Sequence, residues 1–189
     1  MRRLFKIIIV LFALLIIGAG LFAALVFGDL ASYTATGSEV RSPTVAMVGK
    51  ALVVYDSGLS GTATAVASKI ADELAAKGYE VTLAGVRSSA TASTSGFGVV
   101  VVGGPIYAGK PTASIQSYLN GLNPPAGALV GVFGRGNGAA DSTDQSVIAS
   151  EVAPLPSGSA LTLKFVTKIG DTDNVDALCQ QFVTSLLST

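Results

Sequence analysis

The stretch that most constrains this chain is Ala51-Leu-Val-Val-Tyr55 together with the loop and helical pattern that follow it. A short, wholly apolar run suits a strand covered on both faces. Val66, Ile70 and Leu74 then recur at i, i+4 and i+8, which predicts a helix from about Thr62 to Lys77, stopped by Gly78. Between strand and helix lies Ser57–Thr64, with four hydroxyls and two glycines in eight residues. Free N–H groups and the positive end of the helix dipole would point into that loop, joined by the hydroxyls of Ser57, Ser60, Thr62 and Thr64. No Lys or Arg lies inside it, so it suits a phosphate monoester held by neutral donors better than a triphosphate that needs metal. A tight strand-to-helix turn with a hydroxyl cap is the purely structural alternative.

The alternation continues. Strands are expected at Tyr79–Ala84, Val99–Val102, Ala128–Phe133 and Leu161–Val166, with helices at Thr112–Leu122, Asp141–Val152 and Asp173–Leu187. Strands alternating with helices call for a parallel sheet covered on both faces. Five such strands make a compact doubly wound α/β domain over residues 50–189. Ligands of such sheets bind beyond the strand C-termini, where the strand order reverses. The loops after the first, third and fourth strands are therefore the candidates for a site.

Residues 1–28 differ in kind. Ile7–Phe27 is 21 residues without a charge, long enough to span a bilayer as a helix. Arg2, Arg3 and Lys6 precede it, and Asp29 and Glu39 follow, so the positive-inside rule places the domain outside the cytoplasm on a single-pass anchor. A cleaved signal peptide is the competing reading, although its apolar core is usually shorter. Residues 29–49, rich in Ser, Thr, Gly and Pro, read as a flexible linker.

Formal neutrality hides a mildly acidic domain: from Asp29 onward there are nine basic and twelve acidic residues, a net charge of −3. That balance provides no electrostatic footprint for nucleic acid. The chain has no histidine, which removes His-based acid/base and Ser-His-Asp chemistry and the commonest metal ligand. The single cysteine, Cys179, excludes an internal disulfide and reads as a core-facing residue of the last helix.

The second loop runs Gly103-Gly-Pro-Ile-Tyr-Ala-Gly-Lys-Pro111. Gly104 to Lys110 has the GxxxxGK spacing of a nucleotide P-loop, but Pro111 stands where a magnesium-binding Ser or Thr is needed. The alternatives are a loop that meets a planar ligand, Tyr107 presenting its ring, and a tyrosine packed on its own loop. The third loop, Phe133-Gly-Arg-Gly-Asn-Gly138, has only a superficial dinucleotide pattern, since no acidic residue lies where a ribose would need it. It reads as backbone that approaches a ligand closely, with Arg135 and Asn137 as candidate polar contacts. Arg135 is otherwise expected to be exposed and structural.

These three loops, in this order, resemble the flavodoxin family over Lys50 to the C-terminus. The resemblance implies a five-stranded sheet of order 2-1-3-4-5, FMN bound without a covalent link, and electron transfer. It implies a phosphate site at Ser57, Gly58, Ser60, Gly61, Thr62 and Thr64. It further implies flavin contacts from Pro105, Ile106, Tyr107, Ala108 and Gly109, and from Gly134, Arg135, Gly136 and Asn137. The first loop looks one residue longer before Ser60-Gly61 than the family's pattern, with no asparagine after Gly61. The domain is also less acidic than flavodoxins are. An FMN electron carrier or FMN-dependent oxidoreductase on a membrane tether, serving a redox partner protein or membrane electron carrier, is the leading expectation. A fold-retaining binding module that has lost FMN and a magnesium-dependent nucleotide hydrolase are the competitors.

Overall fold

The computed structural model describes residues 10–20, 35–136 and 144–188. The chain divides into two compact units, Met1–Tyr33 and Thr34–Thr189. In the first, residues 10–20 are helical (α1) and expose Leu11, Phe12 and Leu15. Residues 7–9 and 21–27 of the expected anchor lie outside the described residues. Among the described residues no helix is long and apolar enough to cross a membrane.

The second unit is an α/β sandwich. Its sheet has seven strands rather than the expected five. They are β1 (Ser38–Arg41), β2 (Gly49–Tyr55), β3 (Tyr79–Gly85), β4 (Val99–Tyr107), β5 (Lys110–Pro111), β6 (Leu129–Gly136) and β7 (Phe165–Gly170). The order is β1-β3-β2-β4-β6-β7, with β5 folded back on β4. Strands β3, β2, β4, β6 and β7 are mutually parallel, whereas β1 runs antiparallel to β3 from Ser38↔Ala84 to Arg41↔Val81.

Helices α2 (Thr62–Ala76) and α5 (Val175–Leu187) cover one face. There Val66, Ile70 and Leu74 meet Phe133, Ile169 and Phe182. Helices α3 (Ala113–Gly121) and α4 (Gln145–Val152) cover the other, where Ile115, Leu119, Ile148 and Val152 lie over Leu52, Val100 and Val132. Strand β4 is central and buried along eight of its nine residues, which is why its sequence is apolar without alternation. Cys179 is buried in the α2/α5 core, and burial pushes its thiol up to about 11, so it is inert at neutral pH.

Three expectations change. Residues 38–41 of the expected linker are an edge strand, because Arg41 ties them to α2. Its guanidinium donates to the Asp72 carboxylate (2.6 Å), the Ser68 carbonyl (2.7 Å) and Glu39. The last strand lies at Phe165–Gly170 rather than Leu161–Val166; Leu161 and Leu163 cover the α3/α4 core from a non-strand segment, and Thr167 and Lys168 disguise the true strand. Third, β4 and β6 run on through glycine and proline positions that read as loops. Gly103 makes room for the Phe133 ring, and Pro105 lies past the end of β2 at Tyr55, where β4 has a neighbour on one side only.

The Gly103–Phe133 contact predicts a measurable cost. A Cβ at Gly103 would lie 2.3 Å from the Phe133 ring. Gly103→Ala should lower stability by about 1–3 kcal/mol, read as a reduced urea midpoint with unchanged slope. An unmoved midpoint would show that the ring yields freely.

Candidate functional site

The strand order reverses between β2 and β4, so the loops leaving their C-termini diverge and open a crevice. Asp56 sits at the base of the first loop with 4% exposure. Its carboxylate accepts the Gly58 N–H (3.0 Å), the Thr112 hydroxyl (2.7 Å) and the Ser114 hydroxyl. The loop turns through Gly58 at φ +61° and Gly61 at φ +68°, a left-handed region that favours glycine. Gly58 has a second requirement, because a Cβ there would lie 2.6 Å from Pro105 and 2.9 Å from the Tyr107 hydroxyl. Gly61 is the N-cap of α2 and provides no side-chain cap; the Thr64 N–H donates to the Gly61 carbonyl (3.1 Å), and the amides of Thr62 and Ala63 precede the first bond of the helix. The hydroxyls of Ser60 and Thr62 lie beside them, bonded to each other at 2.8 Å.

The second loop is a hairpin. Tyr107 pairs with Lys110 across a two-residue turn, Ala108 at φ 50° and Gly109 at φ 74°, the pattern of a type I′ turn. Left-handed backbone at Ala108 costs about 1–2 kcal/mol. The hairpin disposes of the P-loop reading: Gly104–Tyr107 is strand, Lys110 is on the return strand, and no phosphate-cradling turn joins them to a helix. The Tyr107 hydroxyl accepts the Leu59 N–H at 3.0 Å, which clips the hairpin to the first loop while the ring stays 40% exposed.

A cavity of about 590 Å³ lies across these strand ends, within the size range of ligand pockets. Ser60 and Thr62 line it from the first loop, Pro105, Ile106, Tyr107, Ala108 and Gly109 from the second, and Arg135 and Gly136 from the end of β6. Ser57, Gly58, Gly61, Thr64 and Gly134 do not line it, and Asn137 lies outside the described residues. Gly134 and Gly136 have an internal reason for lacking a side chain: a Cβ would lie 2.7 Å and 3.1 Å, respectively, from Ile106. Their missing side chains make room for Ile106, and Gly136 also lines the cavity.

Three further lining residues escaped the sequence reading: Glu151 on α4, Lys168 on β7, and Asp171 just past β7. Lys168 pairs with Glu151 at 2.7 Å. Arg135, expected on the surface, is 9% exposed. Its Nη1 donates to the carbonyls of Ile169 (3.2 Å) and Gly170, and its Nη2 meets Asp171 at 3.0 Å. Among the described residues, Arg135 Nε is buried without a hydrogen-bond partner. A buried donor in that state costs about 1–3 kcal/mol. Lys168 lies beyond the strand expected at Leu161–Val166, and the sequence carries no signal that would pair it with Glu151. Among the described residues, no group of three or more His, Cys, Asp or Glu is placed to hold a metal ion.

Helices on both faces of a sheet whose parallel strands lie in chain order 2-1-3-4-5, with a cavity at the switch point, define an α/β flavodoxin-like fold. Solved structures similar to this chain are of that kind. Flavodoxin 2 from Bacillus cereus shares 18% identity over 72% of this chain and 97% of its own, with a TM-score of 0.48. The Flv1 flavodiiron core from Synechocystis shares 17% over 84% of this chain and 36% of its own (TM-score 0.49). The rubredoxin:oxygen oxidoreductase of Desulfovibrio gigas shares 19% over 75% and 36% (TM-score 0.48). The chain thus spans about a third of the flavodiiron proteins and nearly all of the flavodoxin. No family model and no curated protein matches the sequence. At these identities and scores, the strand order observed here carries the fold assignment.

A larger cleft, about 770 Å³, lies away from the switch point between the 91–95 segment and the C-terminal half of α3. It holds no charged side chain; its lining includes Thr91, Thr94, Ser117 and Tyr118. The Tyr118 hydroxyl donates to the Thr91 carbonyl at 3.2 Å, and burial pushes its pKa from 10.0 up to about 12. The folded state then keeps a proton that the unfolded state releases, so this contribution is whole below pH 10 and is lost as pH rises to about 12. Urea unfolding from pH 9 to 12 should show that decline, and Tyr118→Phe should flatten it; an equal slope in both proteins would refute the assignment.

Proposed function

We propose that the cavity at the switch point binds FMN without a covalent link and that the protein is an electron-transfer flavoprotein. One observation carries the reading: the uncapped N-terminus of α2, with the Ser60 and Thr62 hydroxyls, opens into the same cavity as the hairpin and the end of β6. The residues present suit the cofactor. Open helix donors and hydroxyls match a phosphate monoester. Similar structures include flavodoxins, and among them is an apo NADH:FMN oxidoreductase.

Each part has its task. Ser60, Thr62 and the first-turn amides of α2 would hold the phosphate; Pro105–Gly109 and Gly136 would border the ring. Bound FMN supplies reversible uptake and release of electrons, while the protein sets its orientation and its preference between redox states. Asp56 keeps the first loop and α3 in fixed relation, and Tyr107 holds the hairpin against that loop. No side chain is assigned a role as nucleophile or general acid.

One observation favours the competing reading of a binding module without FMN: the Tyr107 hydroxyl already takes the Leu59 amide, a donor the loop could otherwise offer. The visible spectrum of the full chain in detergent, titrated with FMN, separates the two. The proposal expects a flavin spectrum retained through desalting. It also expects Ser60→Ala/Thr62→Ala to weaken FMN about tenfold or more while sparing riboflavin, which lacks the phosphate. A folded protein that stays colourless under excess FMN would establish the module reading, and equal losses for both ligands would remove the phosphate site.

We further propose that Ile7–Phe27 tethers the domain to a membrane and places it outside the cytoplasm, near a membrane redox partner. The support is the length of the charge-free stretch and the cations before it. A tether also raises effective concentration at the bilayer. Cell fractionation with alkaline carbonate washing should leave the chain in the membrane pellet, and protease added to the outer side should digest the domain; release by carbonate, or protection from protease, would overturn the respective half.

A further inference from the structure

We infer that the larger cleft, between the 91–95 segment and the C-terminal half of α3, binds a neutral oligosaccharide. The inference is independent of the flavin and membrane readings. A volume of about 770 Å³ lies within the range of ligand pockets and leaves room for more than a single sugar ring. Six of the described lining residues carry a hydroxyl and one, Asn123, a carboxamide; none is charged. A charged ligand would enter without a counter-charge, and an apolar one would leave the polar lining unpaired. A sugar fits both conditions, because its hydroxyls donate and accept as those of serine do. Leu122, Pro124 and Pro125 add apolar surface for the C–H face of a ring.

Buried hydroxyls hold the walls in place. Thr94 Oγ1 donates to the Asn123 carbonyl at 2.9 Å, which ties the 91–95 segment to the loop after α3. The Tyr118 hydroxyl ties α3 to the Thr91 carbonyl at 3.2 Å, and Thr91 Oγ1 donates to the Ser88 carbonyl at 2.8 Å. A ligand therefore meets a preorganised shape. The exposed groups are uncommitted: among the described residues, the side chains of Ser95, Ser117 and Asn123 have no hydrogen-bond partner. Ser93 Oγ accepts the Ser95 N–H at 3.2 Å and keeps its own proton to donate. Three separate segments thus bring neutral donors and acceptors to one cleft. These segments lead into β4 and β6, so the cleft lies at the N-terminal ends of those strands, and the switch-point cavity at their C-terminal ends. Roughly 25 Å of β4 separates the two, so both can be filled at once.

The full chain, in a detergent without a sugar headgroup, can be titrated by NMR with chitotriose, cellotriose and maltotriose and with their monosaccharides. At least one trisaccharide should bind saturably with a Kd of about 1 mM or tighter, and about tenfold more tightly than its own monosaccharide. Ser117→Leu puts an apolar side chain into the cleft from an exposed helix position, and Asn123→Ala removes the carboxamide. Each should weaken that trisaccharide about tenfold and leave the FMN titration as in the wild type. If one variant does not fold, the other carries the comparison. Failure of all three trisaccharides to saturate by about 10 mM would overturn the inference. So would binding that no folded variant weakens, equal affinity for the monosaccharide, or tighter binding of trigalacturonate, a charged oligosaccharide. None of these outcomes bears on flavin binding at the other end of the sheet.

Discussion

Asp56 joins the parts on which the site depends. It ends β2, accepts the Gly58 N–H that turns the first loop, and accepts two hydroxyls at the start of α3, beyond the hairpin. A buried carboxylate is costly unless its oxygens are satisfied, and here three donors meet it. One residue therefore couples the loop after β2 to the segment after β4, the two that diverge at the switch point. Tyr107 adds a second clip between them through the Leu59 amide. The crevice keeps its shape because both walls are pinned at their base.

The opposite wall uses charge. Two ion pairs, Arg135–Asp171 and Lys168–Glu151, line the cavity, and both cations are mostly buried. Buried pairs of this kind add little net stability, since desolvation offsets their attraction. What they provide is direction. The carbonyls of Ile169 and Gly170, at the buried end of β7, capture the Arg135 guanidinium, and among the described residues its Nε meets no acceptor. A strand terminus thereby becomes part of the cavity wall.

At the far edge of the sheet, β1 covers β3, which would otherwise present open backbone groups. Arg41 holds it by bonds to Glu39, Ser68 and Asp72. The chain entering the domain is thus fastened four strand positions from β6, and pulling on that entry would load β1 before the cavity. This separation suits a domain proposed to hang from a tether.

Most of the architecture was legible from local pattern. Periodicity marks β2, β3, α2 and α5 to within two residues, because apolar spacing reports which face of an element is covered. The hydroxyl-rich loop could be recognised before α2 because an uncapped helix start and its donors are neighbours in sequence. Glycine and proline misled at Gly103–Pro105 and Gly134–Gly136, where the missing side chains admit Phe133 and Ile106 rather than end a strand. Residues 38–41 carried no strand signal of their own; pairing with β3 and the long reach of Arg41 make them one. Composition and periodicity alone determined that this chain would form a parallel sheet between helices, with its candidate site beyond the strand C-termini. Only the tertiary structure decided that Arg135, Glu151, Lys168 and Asp171 share one cavity, because their proximity comes from strand order and not from spacing along the chain.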